Sequence, residues 1–275
     1  MPELGGLPLA VNCSTLFTEL PLLQRPAAAR AAGFDAVEFW WPWPARPVPA
    51  DREVEEFARA VLDAGVRLVG LNFFAGDLAG PDCGVLALPG RHQEFRDNVE
   101  VTMALGSRLG ARAFNALYGN RVPGESPERQ DDLATENLAL AAAAAGRVGG
   151  TVLVEPISGP KPYPLRTAAD VVGVLDRVRT AGGSDNIALL ADLYHLAVNG
   201  DDLDAVIATW TDRIGHVQFA DVPGRHQPGT GSLDLDRYLR ALAGAGYQGW
   251  AALEYFPTGP SADSFGWLRT GGPGS

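Results

Sequence analysis

The sequence predicts a single α/β domain folded as a (β/α)8 TIM barrel, and three observations carry that prediction. Eight short apolar runs alternate with longer, alanine-rich segments of helical spacing. Gly33, Gly65, Gly110 and Gly246 each follow one of those segments, where a left-handed glycine ends a helix at little cost. After the first run comes CSTLFTELPLLQR, without the glycine-rich phosphate loop that marks an open doubly wound sheet.

In order, the strands are predicted over 9–12, 36–39, 67–73, 113–117, 151–155, 187–192, 214–219 and 249–254. The helices are predicted over 21–32, 51–64, 93–109, 128–147, 167–180, 203–210 and 235–245. AAGFDAVEF, DAGVRLVGL and GAGYQGWAALE repeat one unit of helix end, glycine turn and buried strand. No composition break divides the chain. The barrel is expected to take residues 1–257, and 258–275 to form a loosely structured tail that packs on it or trails from it.

The 275 residues are 46% hydrophobic and 20% charged, ample for a packed core. The formal charge, 22 − 33 = −11, repels polyanions and argues against a nucleic-acid partner. No apolar run approaches the ~18 residues of a membrane span, and Met1 to Gly6 lacks a secretory signature, so a cytoplasmic protein is expected. Cys13 and Cys83 are too few for a disulfide framework and are expected to be buried packing residues. Lys161 is the only lysine; the other basic residues are arginines.

In a barrel of this kind the active site forms at the C-terminal ends of the strands, so a polar residue closing an apolar strand is a candidate. Glu38, Asn72, Asn115, Glu155, Asp192, Gln218 and Glu254 stand at such positions. The sharpest set is Glu155, Asp192, Gln218 and Glu254 on the last four strands, spaced by 37, 26 and 36 residues. Several carboxylates at one mouth repel one another unless a cation gathers them, and an all-oxygen shell suits Mg²⁺ or Mn²⁺. Each residue also has a plainer role open to it. Asp192 can cap the segment that begins at Leu193, Glu155 and Glu254 can pair with buried arginines, and Gln218 can be a hydrogen-bonding core residue.

His195, three residues beyond Asp192, shares its face if a helical turn follows and can reach the same substrate. His216 is expected to pack or to orient a neighbour. Lys161, in the proline-stiffened EPISGPKPYP loop, can supply a cation to a carboxylate substrate, and Arg225, in VPGRHQPGTGS, a bidentate grip. The aromatic run Phe39 to Trp43 lines a wall of the opening or marks a subunit contact, so a homo-oligomer is one expectation. Glu38, just before Phe39, is a candidate to contact the substrate or to support a ligand.

FTELPLLQRPAAARAAGFDAVEFWWPW, LALPGRHQEFR, LVEPISGPKPYPL, ADLYH, HVQFADVPGRHQPGTGSLD and GYQGWAALEY span nearly the whole chain. Through them the sequence resembles the hydroxypyruvate isomerase family, within the xylose-isomerase-like barrels. The resemblance implies that Glu155, Asp192, Gln218 and Glu254 fall on metal-ligand positions, with Glu155 and Glu254 as the acid/base pair. Related sugar epimerases usually carry histidine at the position of Gln218, which points to the isomerase branch. The sequence departs at Asn115, where close relatives are expected to carry histidine. The expected function is metal-assisted aldose–ketose isomerisation of a small hydroxy-oxo acid, with no nucleotide cofactor. The alternatives are a 2-oxo-tetronate isomerase, a ketose 3-epimerase, a metal-dependent abasic-site endonuclease, and a non-catalytic sugar-binding barrel.

Overall fold

Each of the eight apolar runs forms a parallel strand in the computed structural model, which describes residues 1–268. The strands are β1 (Leu7–Asn12), β2 (Ala36–Phe39), β3 (Arg67–Asn72), β4 (Ala113–Asn115), β5 (Thr151–Val154), β6 (Ile187–Asp192), β7 (Ile214–Phe219) and β8 (Ala251–Leu253). Neighbours in sequence are neighbours in the sheet. The last strand pairs with the first, Leu9 opposite Ala251 and Val11 opposite Leu253, which closes the barrel and leaves it no open edge. A two-residue strand, Glu3–Leu4, pairs antiparallel with the start of β1.

The helices are α1 (Arg25–Ala31), α2 (Asp51–Asp63), α3 (His92–Leu109), α4 (Pro127–Gly146), α5 (Ala168–Thr180), α6 (Leu193–Asn199), α7 (Leu203–Trp210) and α8 (Leu235–Gly244). Several starts follow from local chemistry. Ser126 accepts the Arg129 N–H ahead of Pro127, and Thr167 and Asp170 cap α5 reciprocally. The sequence reading lacks α6, a seven-residue helix whose cap is Asp192 itself.

Side chains alternate across each strand, so Ala10 and Asn12, Ala36 and Glu38, and Ala252 and Glu254 share the inner face. Small residues lie below and polar ones above. Ala10, Ala36, Val69 and Ala252 form a small apolar cluster of their own, apart from the larger core between barrel and helices. Pairing in β4, β5 and β8 stops one or two residues before the predicted ends, where the chain turns outward to form the rim; the Glu254 N–H still donates to the Phe219 carbonyl at 3.1 Å.

The described part of the expected tail is ordered by contact with the barrel. Residues Ser261–Leu268 form a 3-10 helix, and Phe265 packs edge-on against Phe34 at 5.0 Å. The Ser261 hydroxyl accepts the Phe17 N–H at 2.6 Å. Residues 269–275 lie outside the described part. Cys13 and Cys83 are free and buried, as expected. Among the described residues no helix is long and apolar enough to cross a membrane.

Candidate active site

Asp192 ends β6 and uses its two oxygens differently. Oδ1 accepts the N–H groups of Tyr194 and His195 at 2.8 and 3.4 Å, capping α6. Oδ2 stays in the barrel mouth, 3.2 Å from Arg225 and 3.6 Å from His195 Nε2. The cap and the site are therefore one residue. By holding the first turn of α6, Asp192 also aims His195 into the mouth.

The His195 tautomer follows from its other nitrogen. Nδ1 receives the backbone N–H of Ser158 at 3.0 Å, with the Ser158 hydroxyl at 2.7 Å, so the hydrogen of a neutral ring lies on Nε2. Burial lowers this imidazole to about 4, against the raising influence of Asp192. At neutral pH His195 is an uncharged N–H donor facing Asp192 and Glu155.

Glu155 and Glu254 leave β5 and β8 on either side of this donor. Burial pushes the Glu155 carboxyl well above the usual carboxylate range, and the Glu254 and Asp192 charges push it further; its hydrogen-bond donor is Asn115, at 2.7 Å. Burial raises Glu254 to about 8, although Arg225 pulls it down. One Arg225 nitrogen lies 2.7 Å from Glu254 and 3.2 Å from Asp192, and Trp40 Nε1–H donates to Glu254 at 3.2 Å. Burial disfavours the Arg225 charge, yet Glu254 and Asp192 hold it above its ordinary range.

Arg225 reaches this place from a loop organised by Asp221. That carboxylate accepts the backbone N–H groups of Val222, Gly229, Gly231 and Leu233 at 2.8–3.0 Å. The Arg225 guanidinium stacks over Tyr194 and Phe256, 5.5 and 5.7 Å from the ring centres. The sequence reading missed Asp221, because its partners are backbone groups up to twelve residues downstream.

Gln218 lies opposite. Its amide nitrogen donates to Glu38 Oε1 at 2.6 Å, which leaves Oε1 of Gln218 buried without a partner. Glu38 also receives Asn12 at 2.8 Å and pairs with His216 Nε2 at 2.7 Å. A Cβ on Gly70 would lie 3.0 Å from Oε2 of Glu38, so the glycine makes room for this carboxylate. Glu38 therefore sits beneath the rim with its oxygens engaged, and His216 orients it. Asn12, also missed, reaches Glu254 at 3.2 Å.

Glu155 and Glu254 open on a cavity of about 200 Å³ lined also by Trp40, Asn72, Leu78, Cys83, Lys161, His195 and Arg225. That is room for roughly six or seven waters. Lys161 reaches across it to donate to the Leu78 carbonyl. The aromatic run divides: Trp40 joins the cavity, while Trp41 and Trp43 are buried, 5.1 Å apart, with Trp43 against Phe57. Those two indoles are core residues, not the exposed patch a subunit contact needs. A larger apolar groove of about 580 Å³ lies elsewhere, between Phe17, Ala28 and Phe265, and offers Glu19 as its one ionisable side chain.

Residues 26–271 match the family model for xylose isomerase-like TIM barrels. A putative hydroxypyruvate isomerase of Streptomyces coelicolor is 55% identical over 265 residues, 95% of each chain. The chain belongs to the hydroxypyruvate isomerase family. Other family relatives are the hydroxypyruvate isomerase of Escherichia coli, 30% identical over 95% of this chain and 98% of that one, and a 2-oxo-tetronate isomerase of Pectobacterium atrosepticum, 30% identical over 94% and 96%. A Brucella melitensis structure described as an AP endonuclease of family 2 superposes with a TM-score of 0.86, 33% identity and coverage of 98% and 99%.

The donor set of this family member fits a hard divalent ion. Ligand atoms of Glu155, Asp192 and His195 lie within 4.8 Å of one another, and Glu254 joins them through Arg225. The buried Oε1 of Gln218 lacks any partner, and such an orphan acceptor is costly unless something binds it. His195 offers Nε2–H rather than a lone pair, which leaves oxygens as the donors.

Proposed function

We propose that the chain interconverts a small hydroxy-oxo acid between its ketose-like and aldose-like forms, hydroxypyruvate and tartronate semialdehyde being the favoured pair. The observation that carries this reading is the pair of buried glutamates, Glu155 and Glu254, facing one small cavity with different partners. Burial raises both carboxyls; Arg225 and Trp40 oppose the rise at Glu254, whereas the hydrogen-bond donor to Glu155 is a neutral amide, Asn115, so Glu254 is the more readily ionised of the two. Such a pair divides the roles of base and acid.

Glu254 takes the proton from C3 of hydroxypyruvate, and the C–H electrons form the C2–C3 double bond of an enediolate. Glu155 returns a proton to C2 while the O3 hydroxyl proton passes to O2, which leaves an aldehyde at C3. The Nε2–H of His195 donates to a substrate oxygen during this shift, and Lys161 and Arg225 complete the binding wall. A divalent ion, Mg²⁺ or Mn²⁺, held by Glu155, Asp192, Gln218 and Glu254 would supply electrophilic stabilisation of the enediolate oxygen. Glu38 supports Gln218 from below instead of touching substrate. No nucleotide cofactor is invoked.

Deuterium entry at the carbon-bound hydrogens of hydroxypyruvate in D₂O, followed by NMR, tests the reading. Exchange well above a protein-free control, lost on chelation and restored by Mg²⁺ or Mn²⁺, is expected. Background exchange under every condition overturns hydroxypyruvate as the substrate. The same assay with 2-oxo-tetronate decides between the substrates named for the relatives. The solved relative described as an endonuclease favours a second reading, phosphodiester cleavage. A cavity of about 200 Å³ and a net charge of −11 oppose it, and an abasic duplex incubated with metal-loaded protein is expected to stay intact.

A further inference from the structure

Two cationic side chains line the cavity, in opposite circumstances. Arg225 is already matched by Asp192 and Glu254. Lys161 donates to a neutral carbonyl, that of Leu78, and forms no ion pair among the described residues. Asn72, at the end of β3, lines the same cavity at 6% exposure, and its side-chain amide has no hydrogen-bond partner among the described residues. An amide with no partner and an ammonium without a counter-ion, lining one cavity, are both free to receive a ligand.

Formal charges indicate which ligand. Arg225 is paired with two carboxylates, whereas Lys161 is the cationic lining group without an ion pair among the described residues, so a single carboxylate is the counter-ion it lacks. We infer that Lys161 and Asn72 form a monocarboxylate subsite, which fixes the substrate with its acid end there and its two reacting carbons between Glu155 and Glu254. The inference rests on the proposed isomerase reading and adds the substrate's orientation and the basis of its selectivity. A neutral ketose of similar size leaves Lys161 without a counter-ion. A dicarboxylate brings one charge too many.

Glycerate and glycerol differ in a carboxylate against a hydroxymethyl group, and neither carries a carbonyl to react. Their binding to Mg²⁺-loaded protein, followed by calorimetry and by Trp40 fluorescence, reads the subsite apart from turnover. The wild type is expected to prefer glycerate by roughly 10- to 100-fold. Lys161→Met is expected to abolish the preference with glycerol binding unchanged, Lys161→Arg to retain most of it, and Asn72→Leu to reduce it severalfold. With hydroxypyruvate, Lys161→Met raises KM more than it lowers kcat. A wild type without preference, or a folded Lys161→Met that keeps it, overturns the inference; should Lys161→Met not fold, a folded Lys161→Gln that keeps the preference does so. Failure of the isomerase reading shows separately, as absent deuterium exchange in the wild type.

Discussion

Strands β1 to β4 carry Asn12, Glu38, Asn72 and Asn115 at or next to their ends, three amides and a carboxylate, while β5 to β8 place Glu155, Asp192, Gln218 and Glu254 at or just beyond theirs, three carboxylates and an amide. The first half supplies donors and the second acceptors, and the bonds run across: Asn115 to Glu155, Asn12 to Glu254. The odd member of each half is bonded to its counterpart, Gln218 to Glu38. The buried carboxylates are thus tolerated through two kinds of partner, amides that donate to Glu155 and Glu254 and the Arg225 guanidinium that pairs with Asp192 and Glu254. In the proposed reaction one half reacts and the other holds.

The sharpest way to break this division is to remove a reacting group and leave its shape. Glu155→Gln and Glu254→Gln are each expected to lower deuterium exchange by about 10²–10⁴-fold. Thermal stability should be retained or raised in Glu155→Gln, whose donor is a neutral amide, and should fall in Glu254→Gln, which takes a partner from the buried Arg225. Near-normal exchange in either variant removes that residue from the chemistry.

A smaller effect is expected from the holding half. Glu38→Gln frees the Gln218 amide to turn and deprives His216 of its partner. Mn²⁺ affinity, read by electron paramagnetic resonance, should fall by about 10- to 100-fold with circular dichroism unchanged. An unaltered affinity shows that Gln218 is not a ligand.

The smallest effect is on the pH dependence of metal-free stability. Glu254, raised to about 8, binds more protons folded than unfolded above its ordinary value near 4.5, so its contribution falls as pH rises toward 8. His195, lowered to about 4, binds fewer protons folded than unfolded below 6.5, so its contribution rises with pH there and the two oppose. Above pH 6.5 Glu254 and Glu155 act alone. Tm of chelated protein should therefore drop by a few degrees between pH 6.5 and 8, and saturating Mg²⁺ should flatten the slope. A flat profile without metal shows that the acids are not held protonated.

Much of the rim was legible because an apolar strand that stops at a polar residue leaves two readings, a surface turn or a barrel mouth, and seven repeats of the pattern choose the second. What was not legible depends on distant backbone. Asp221 looks like any loop aspartate until Gly229, Gly231 and Leu233 turn their N–H groups toward it. Asp192 invited a choice between cap and ligand, yet a carboxylate has two oxygens, and α6 is too short to show periodicity. Trp41 and Trp43 were ambiguous because burial of an indole is decided by Phe57, on another element. The described part of the tail is held by side chains scattered without periodicity, Phe265 against Phe34, Trp267 against Phe219 and Ser261 with Glu19.

Asn12 and Glu254 are 242 positions apart, and their bond lies beside the seam where the last strand meets the first. A chain emerging from the ribosome from its N-terminus carries Asn12 long before it carries Glu254. Until β8 arrives, β1 remains an unpaired edge and the mouth has a gap in its wall. The barrel is then sealed only when the last strand is made, so a chain truncated before it is expected to leave the β1 edge open.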